Sequence, residues 1–269
     1  MKNSTFGFIG TGNMGSALAL AAVKALGPGA VVLSGHSPEK AKSLAAQTGA
    51  AVRSNEEIAG SCGFVFLGVK PQMMAGVLAS LSSILKARTD RFVLVSMAAG
   101  LSVADIRKMA GEDFPVIRIM PNTPVSVGEG VVLYAVSDGV APEETELFTN
   151  AMHLTGLLDR IPERLMDAGS AVSGCGPAFV YLFLEALADG AVQCGLPRDK
   201  ALKYAAMTAA GSAKLVLESG QHPGALKDAV CSPGGSTIAG VSALEERAFR
   251  GAVMEAVHAA FLRTKELGK

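Results

Sequence analysis

The residues best suited to chemistry appear almost at once along the chain. Gly10-Thr11-Gly12-Asn13-Met14-Gly15 has the spacing Gly-x-Gly-x-x-Gly, with the apolar segment Thr5–Ile9 before it and apolar residues at helical spacing after it. In that setting the spacing suits the pyrophosphate of a dinucleotide. Gly10 permits the tight turn, Gly12 lets the backbone approach the phosphates, and Gly15 lets the helix pack on the strand. Thr11, Asn13 and Met14 complete a loop that presents an anion to the free N–H groups and dipole of a helix N-terminus. A second cradle lies far along the chain, in Asp228-Ala229-Val230-Cys231-Ser232-Pro233-Gly234-Gly235-Ser236-Thr237. Hydroxyls and glycines opening a helix suit a small anion such as a carboxylate. Taken alone, that segment also reads as a capped interhelical loop.

The end of the second strand decides which dinucleotide is expected. Sites for NAD usually carry Asp or Glu there, to bind the ribose hydroxyls. This chain reads Ser34-Gly35-His36-Ser37-Pro38-Glu39-Lys40, with no acid at the strand end and with hydroxyl, imidazole and ammonium groups nearby. NADPH is therefore favoured, with NADH as the alternative. Val69-Lys70-Pro71 follows an apolar strand, where a polar residue faces the ligand crevice; Lys70 is a cofactor candidate, or else a surface lysine beside a helix-starting proline. Asn122, just past another strand, is placed to hold the nicotinamide end or to shape the crevice. Asn55 either touches the adenine ribose or caps the helix beginning at Glu56. Ser37, Val69, Pro71 and Ala98 complete the expected cofactor set.

These residues need a scaffold, and the apolar pattern supplies one. Short apolar runs at Thr5–Ile9, Val31–Ser34, Phe64–Val69, Phe92–Ser96 and Val116–Met120 alternate with helical patterns near 13–27, 38–48, 72–85 and 102–111. Such alternation implies crossover connections and a mainly parallel sheet covered on both faces. Val131–Tyr134 and Gly156–Ile161, flanking a helix near 143–154, are candidates to extend that sheet. After Ile161 only helical segments remain, near 178–194, 198–218, 236–247 and 249–267, so the boundary is placed between residues 1–161 and 162–269. The helix near 178–194 is apolar around most of its circumference, which predicts burial on nearly all sides, against its own domain or a second copy of the chain.

Composition narrows the partners. Lys+Arg and Asp+Glu both total 24, so the formal net charge is zero and gives no reason to expect nucleic acid or an anionic membrane. No apolar run reaches the ~20 residues of a membrane span. The segment before Gly10 is too short for a signal peptide, so the expected compartment is the cytoplasm. The four cysteines are widely spaced without a Cys-x-x-Cys pair; they read as reduced thiols, and no metal is expected.

The motifs fall in a telling order: Gly10-Thr11-Gly12-Asn13-Met14-Gly15, Val69-Lys70-Pro71, Met120-Pro121-Asn122-Thr123-Pro124, Ser173-Gly174-Cys175-Gly176-Pro177-Ala178, Gln221-His222-Pro223-Gly224 and Asp228 to Thr237. The series closely resembles the pyrroline-5-carboxylate reductases over nearly the whole chain. The resemblance implies an α/β fold: a Rossmann-type, mainly parallel sheet domain followed by an all-α C-terminal dimerisation domain. It implies reduction of a cyclic imino acid to proline with NADPH, and a homodimer that forms higher homo-oligomers in some members. By matching position it assigns Ser232, Gly235, Ser236 and Thr237 to the substrate carboxylate and the vicinity of its nitrogen, with Thr237 as the catalytic candidate. Glu163 matches a position associated with the substrate site, and Ala229 departs from an asparagine found in some members. His222 is left outside the core site as a loop or capping residue.

Two rivals are weaker. A β-hydroxyacid dehydrogenase commonly carries a lysine on the first long helix after the nucleotide domain, and the segment Ala178 to Cys194 has none. A nucleotide-binding scaffold without turnover would have no use for the cradle at Ser232–Thr237.

Overall fold

The computed structural model describes residues 4–35 and 37–267; His36, one of the groups expected near the cofactor, lies outside them. The strands are β1 (Phe6–Ile9), β2 (Val31–Ser34), β3 (Ala51–Val52), β4 (Phe64–Leu67), β5 (Val93–Ser96), β6 (Val116–Pro121), β7 (Gly130–Val136) and β8 (Gly156–Arg160). They form one sheet in the order β3-β2-β1-β4-β5-β6-β7-β8. All neighbours pair in parallel except β6 and β7. The exception has a simple cause. The link between them is a short turn, with one 3-10 segment at Thr123–Val127, and a parallel return would need a crossover of a dozen residues or more.

Helices α1 (Asn13–Leu26), α2 (Pro38–Thr48), α3 (Asn55–Ser61), α4 (Pro71–Ala87), α5 (Val103–Ala110) and α6 (Pro142–Met152) cover the sheet. Alternation along each strand sorts the core into two layers. Phe6, Phe8, Phe64 and Phe66 pack with Leu18, Ala22, Phe148 and Met152 on one face. Ile9, Val65, Leu67 and Leu94 pack with Ile58, Met74, Leu78 and Ile106 on the other. The central pairing is reinforced by stacked rings, Phe6 on Phe64 at 4.6 Å and Phe8 on Phe66 at 4.3 Å.

The later helices are α7 (Met166–Ser173), α8 (Gly176–Gln193), α9 (Arg198–Ser219), α10 (Pro223–Ala229), α11 (Ser236–Glu246) and α12 (Phe249–Leu267). The chain divides into two compact units, one reaching to Cys175 and including the residues from Ala260 on, the other Gly176–Ala259. Helix α7 lies beyond residue 161 yet packs on β6 and β7. Within the second unit, α8 and α9 pair through Ala188, Ala201 and Ala205, small residues that let the two backbones approach. Ala188 is the one residue of α8 that is buried, so the apolar circumference read from the sequence is not enclosed by its own unit.

Three elements have no counterpart in the sequence reading: β3, two residues long, α10, seven, and α7, eight. The apolar runs of α7 and α8 also follow one another closely. The stretch Glu163–Gln193 is long and apolar enough to cross a membrane by length and composition. Met166, Ser170 and Ala171 of α7 are nevertheless buried.

Glu144 makes the fold sensitive to acid. Burial pushes its carboxyl up, but hydrogen bonds from Arg91 (2.7 and 2.8 Å) and from the Ala141 N–H (2.9 Å) outweigh this and hold it below the usual glutamate value. A depressed folded-state value stabilises the protein above the unfolded value and is lost as pH falls through the folded one. Glu144→Gln should therefore be less stable than the native protein at pH 7, with the difference shrinking below about pH 4. Thermal unfolding of both proteins across pH 3 to 7 checks this.

Candidate active site

The chain reverses its direction of travel across the sheet between β1 and β4, where doubly wound folds bind ligands beyond the carboxyl ends of the strands. The glycine loop sits there. Gly10 has φ +107°, and a methyl group on it would collide with the Gly68 carbonyl at the end of β4. A methyl on Gly15 would strike the Gly10 carbonyl, so only glycine lets α1 start this close to β1. Gly12 differs: a methyl there would meet no described atom within 4 Å. Gly12 is also the N-cap of α1 and supplies no side-chain cap, so the first turn keeps free N–H groups beside open space. Gly12 and Asn13 are exposed, Met14 is half-buried and Thr11 is buried. This geometry fits a dinucleotide pyrophosphate.

The neighbouring strand ends gather the other candidates. Gly10 N–H donates to the Ser34 carbonyl (2.9 Å) and Gly68 N–H to the Ile9 carbonyl (2.8 Å). Ser34 Oγ donates to Asn55 Oδ1 at 2.6 Å. The capping alternative for Asn55 is overturned. Asn55 is the first residue of α3, and the cap is Ser54, closed reciprocally with Glu57 (3.1 and 2.8 Å). Ser37 is the N-cap of α2 without a side-chain cap bond. Lys70 is the exposed N-cap of α4, beside half-buried Val69 and Pro71. Ala98 is buried just past β5, its N–H directed to Ser96 Oγ.

Asn122, expected to hold the nicotinamide end or to shape the crevice, is bonded at both ends of its side chain. Its Nδ2 donates to the Ser173 carbonyl (2.9 Å), and its Oδ1 accepts from Val131 N–H (2.8 Å). It thus ties the end of β6 to the start of β7 and the end of α7, which shapes the crevice. Glu163 is also engaged. Its Oε1 accepts from Val103 N–H at 2.7 Å, at the start of α5, and from Arg118 Nη1 at 3.3 Å. Arg118 is buried in the sheet, reaches Asp167 at 3.1 Å, and leaves its Nε without a partner among the described residues. A charged residue in the middle of an apolar strand was the available sequence signal for this cluster.

The second unit holds the other cradle by itself. Cys231 N–H donates to the Asp228 carbonyl (3.0 Å) and Gly235 N–H to the Ser232 carbonyl (3.0 Å), folding the segment into two tight turns. Gly234 has φ +68°. The N-cap of α11 is Gly235, again without a side-chain cap, so the first-turn N–H groups stand beside the exposed side chains of Ser232, Ser236 and Thr237. His222 caps α10, its Nδ1 accepting from Gly224 N–H (3.0 Å).

Comparison with known proteins settles the family. Residues 163–267 match the family model for pyrroline-5-carboxylate reductase dimerisation. Residues 5–100 match that for NADP oxidoreductase coenzyme F420-dependent. The pyrroline-5-carboxylate reductase of Escherichia coli is 42% identical over 266 residues, covering 98% of each chain. This chain belongs to the pyrroline-5-carboxylate reductase family. Two solved members share the reductase fold along its whole length. The Plasmodium falciparum pyrroline carboxylate reductase with NADP bound has a TM-score of 0.89 at 34% identity, covering 100% of both chains. The Coxiella burnetii pyrroline-5-carboxylate reductase has a TM-score of 0.90 at 30% identity, covering 99% of both.

Replacing Glu163 by Gln weakens two charge-assisted bonds and leaves Arg118 with one carboxylate. A loss of about 1–3 kcal/mol is expected in urea unfolding; an unchanged midpoint would show that this carboxylate does not hold α5 to the sheet.

Proposed function

We propose that this protein reduces 1-pyrroline-5-carboxylate to L-proline, taking the hydride from NADPH. The observation that carries the reading is 42% identity to the Escherichia coli reductase across 98% of both chains. Two uncapped helix N-termini of the right chemistry support it, at Gly12 and Gly235. In this reading residues 1–161 bind the nucleotide, while residues 162–269 carry the substrate site and the association with a second copy.

Reduction of the cyclic imine adds a hydride to the C=N carbon and a proton to nitrogen, giving a secondary amine. Bound NADPH supplies the hydride and leaves as NADP+. The pyrophosphate is held by the N–H groups following Gly12, with Ser37 and Asn55 toward the adenosine and Lys70, Ala98 and Asn122 lining the crevice. The chain's own work at the substrate is binding, orientation and exclusion of water. The first-turn N–H groups of α11, with the Ser232 and Ser236 hydroxyls, hold the carboxylate. Thr237 Oγ1 hydrogen-bonds the ring nitrogen and relays its proton. Glu163 joins the substrate set by its matching position in the family.

The second unit is read as the dimerising part. Leu182, Met207, Leu217 and Met254 are all more than 60% exposed. A cleft of about 800 Å³ is lined by Leu182, Phe183, Leu187, Leu244, Phe249 and Val253. Apolar surface on this scale marks an association site. The same association accounts for the apolar stretch Glu163–Gln193 without a membrane, and the zero net charge supports the absence of nucleic acid. All four cysteines are free, which goes with a reducing compartment such as the cytoplasm.

The purified protein should oxidise NADPH with pyrroline-5-carboxylate faster than with pyrroline-2-carboxylate or piperideine-6-carboxylate. No turnover of any of the three would sink the reading. Thr237→Ala should lower kcat by about 100-fold or more, in the range of a positioned proton-transfer group, with the KM for NADPH unchanged. Full kcat in that variant would remove the role given to Thr237.

A further inference from the structure

We propose that Ser34 is a positioning residue that turns the Asn55 carboxamide so that its N–H2 end alone faces the adenosine 2′-position, and so sets the preference for NADPH over NADH. The proposal rests on the cofactor reading above and deepens it. Ser34 ends β2, where NAD-specific sites place an acid that accepts from the ribose hydroxyls. It is 7% exposed, and its Oγ donates to Asn55 Oδ1 at 2.6 Å. A carboxamide has one acceptor end and one donor end. The serine hydroxyl takes one lone pair of Oδ1 and fixes the carboxamide with Nδ2, its donor end, turned away from Ser34. Nδ2 has no partner among the described residues and belongs to a half-buried side chain. A donor alone suits a phosphate, whose oxygens only accept.

Nothing else requires Asn55 to be asparagine. The start of α3 is already capped by Ser54 and Glu57. Ser34 also reaches the glycine loop, because its carbonyl accepts the Gly10 N–H at 2.9 Å. The loop and the strand end are close on the other side too, since a methyl on Gly35 would collide with Thr11 Oγ1. One residue thus sets both the phosphate turn and the polarity of the group beside it. The backbone contact survives any side chain at position 34, whereas the orientation of Asn55 does not.

The test is equilibrium binding of NADPH and of NADH, by nicotinamide fluorescence, to the native protein, Ser34→Ala, Ser34→Thr, Asn55→Ala and the double variant Ser34→Ala/Asn55→Ala. Unfolding midpoints are measured for each. The native protein should bind NADPH more tightly than NADH. Ser34→Ala should weaken NADPH about 5- to 20-fold, the effect of one lost hydrogen bond, and leave NADH nearly unchanged. Ser34→Thr, which keeps the hydroxyl, should retain the preference, and Ser34→Ala should have no further effect once Asn55 is alanine. A native preference that survives intact in Ser34→Ala overturns the proposal alone. Equal losses for both nucleotides, additive with Asn55→Ala, also overturn it, because they mark damage through the backbone. A native protein that binds neither nucleotide brings down the cofactor reading and this proposal together.

Discussion

The approach of α1 to the end of β1 is the constraint on which the rest of the structure depends. A helix that begins directly against a strand's carboxyl end needs residues without side chains at the contact, and Gly15 against the Gly10 carbonyl meets that need. The gain is a row of N–H groups with no intrahelical acceptor, left beside open space at Gly12. Burying such groups without a partner costs about 1–3 kcal/mol each, so the position suits an anion far better than it suits packing. The stacked phenylalanines of β1 and β4 hold the two strands that flank this point. The same device recurs at the start of α11, where Gly235 replaces a capping side chain. One physical arrangement, an uncapped helix N-terminus beside a glycine turn, therefore occurs twice in the chain.

Much of this was legible in the residues. Strands of four or five apolar residues, separated by amphipathic helices, fix the parallel part of the sheet, and the element ends fall within a few residues of their expected places. The antiparallel β7 was harder to orient, because its direction depends on the length of a turn and not on its own pattern. Helix α10, at seven residues, is too short to show a period. In the site, the glycines could be read because a missing side chain is itself a sequence signal. Ser34 could be recognised only as the absence of an acid, since its bond to Asn55 joins residues 21 apart. The engagement of Asn122 and Glu163 by neighbouring groups depends on tertiary contacts with Ser173 and Arg118, which no local pattern announces.

Arg118 shows how an ionic cluster can organise an otherwise apolar sheet. A buried guanidinium is tolerable only with charged partners, and both of its carboxylates come from the segment that leaves the sheet, at Glu163 and Asp167. The Glu163 carboxylate in turn meets the N–H at the positive end of α5. The cluster therefore joins β6, α5 and the first turns after β8 more specifically than apolar packing could, because each partner must sit at a fixed angle and distance.

The reversal at β7 turns α7 into a ruler. Strand β8 runs with β7, against the first six strands, so the chain leaves it pointing away from the crevice and must travel back along the sheet. It does so between two fixed marks: Asp167 on Arg118 in mid-strand, and the Ser173 carbonyl on Asn122 at the strand's end. Six helical residues cover about 9 Å, and four strand residues about 13 Å, with the side chains at each mark taking up the difference. A single inserted residue would advance the helix by about 1.5 Å and rotate it by roughly 100°, so only one of the two marks could still be met. Length in this segment is thus constrained as tightly as composition: an insertion in α7 breaks a mark, whereas a substitution on its other faces leaves both marks in place.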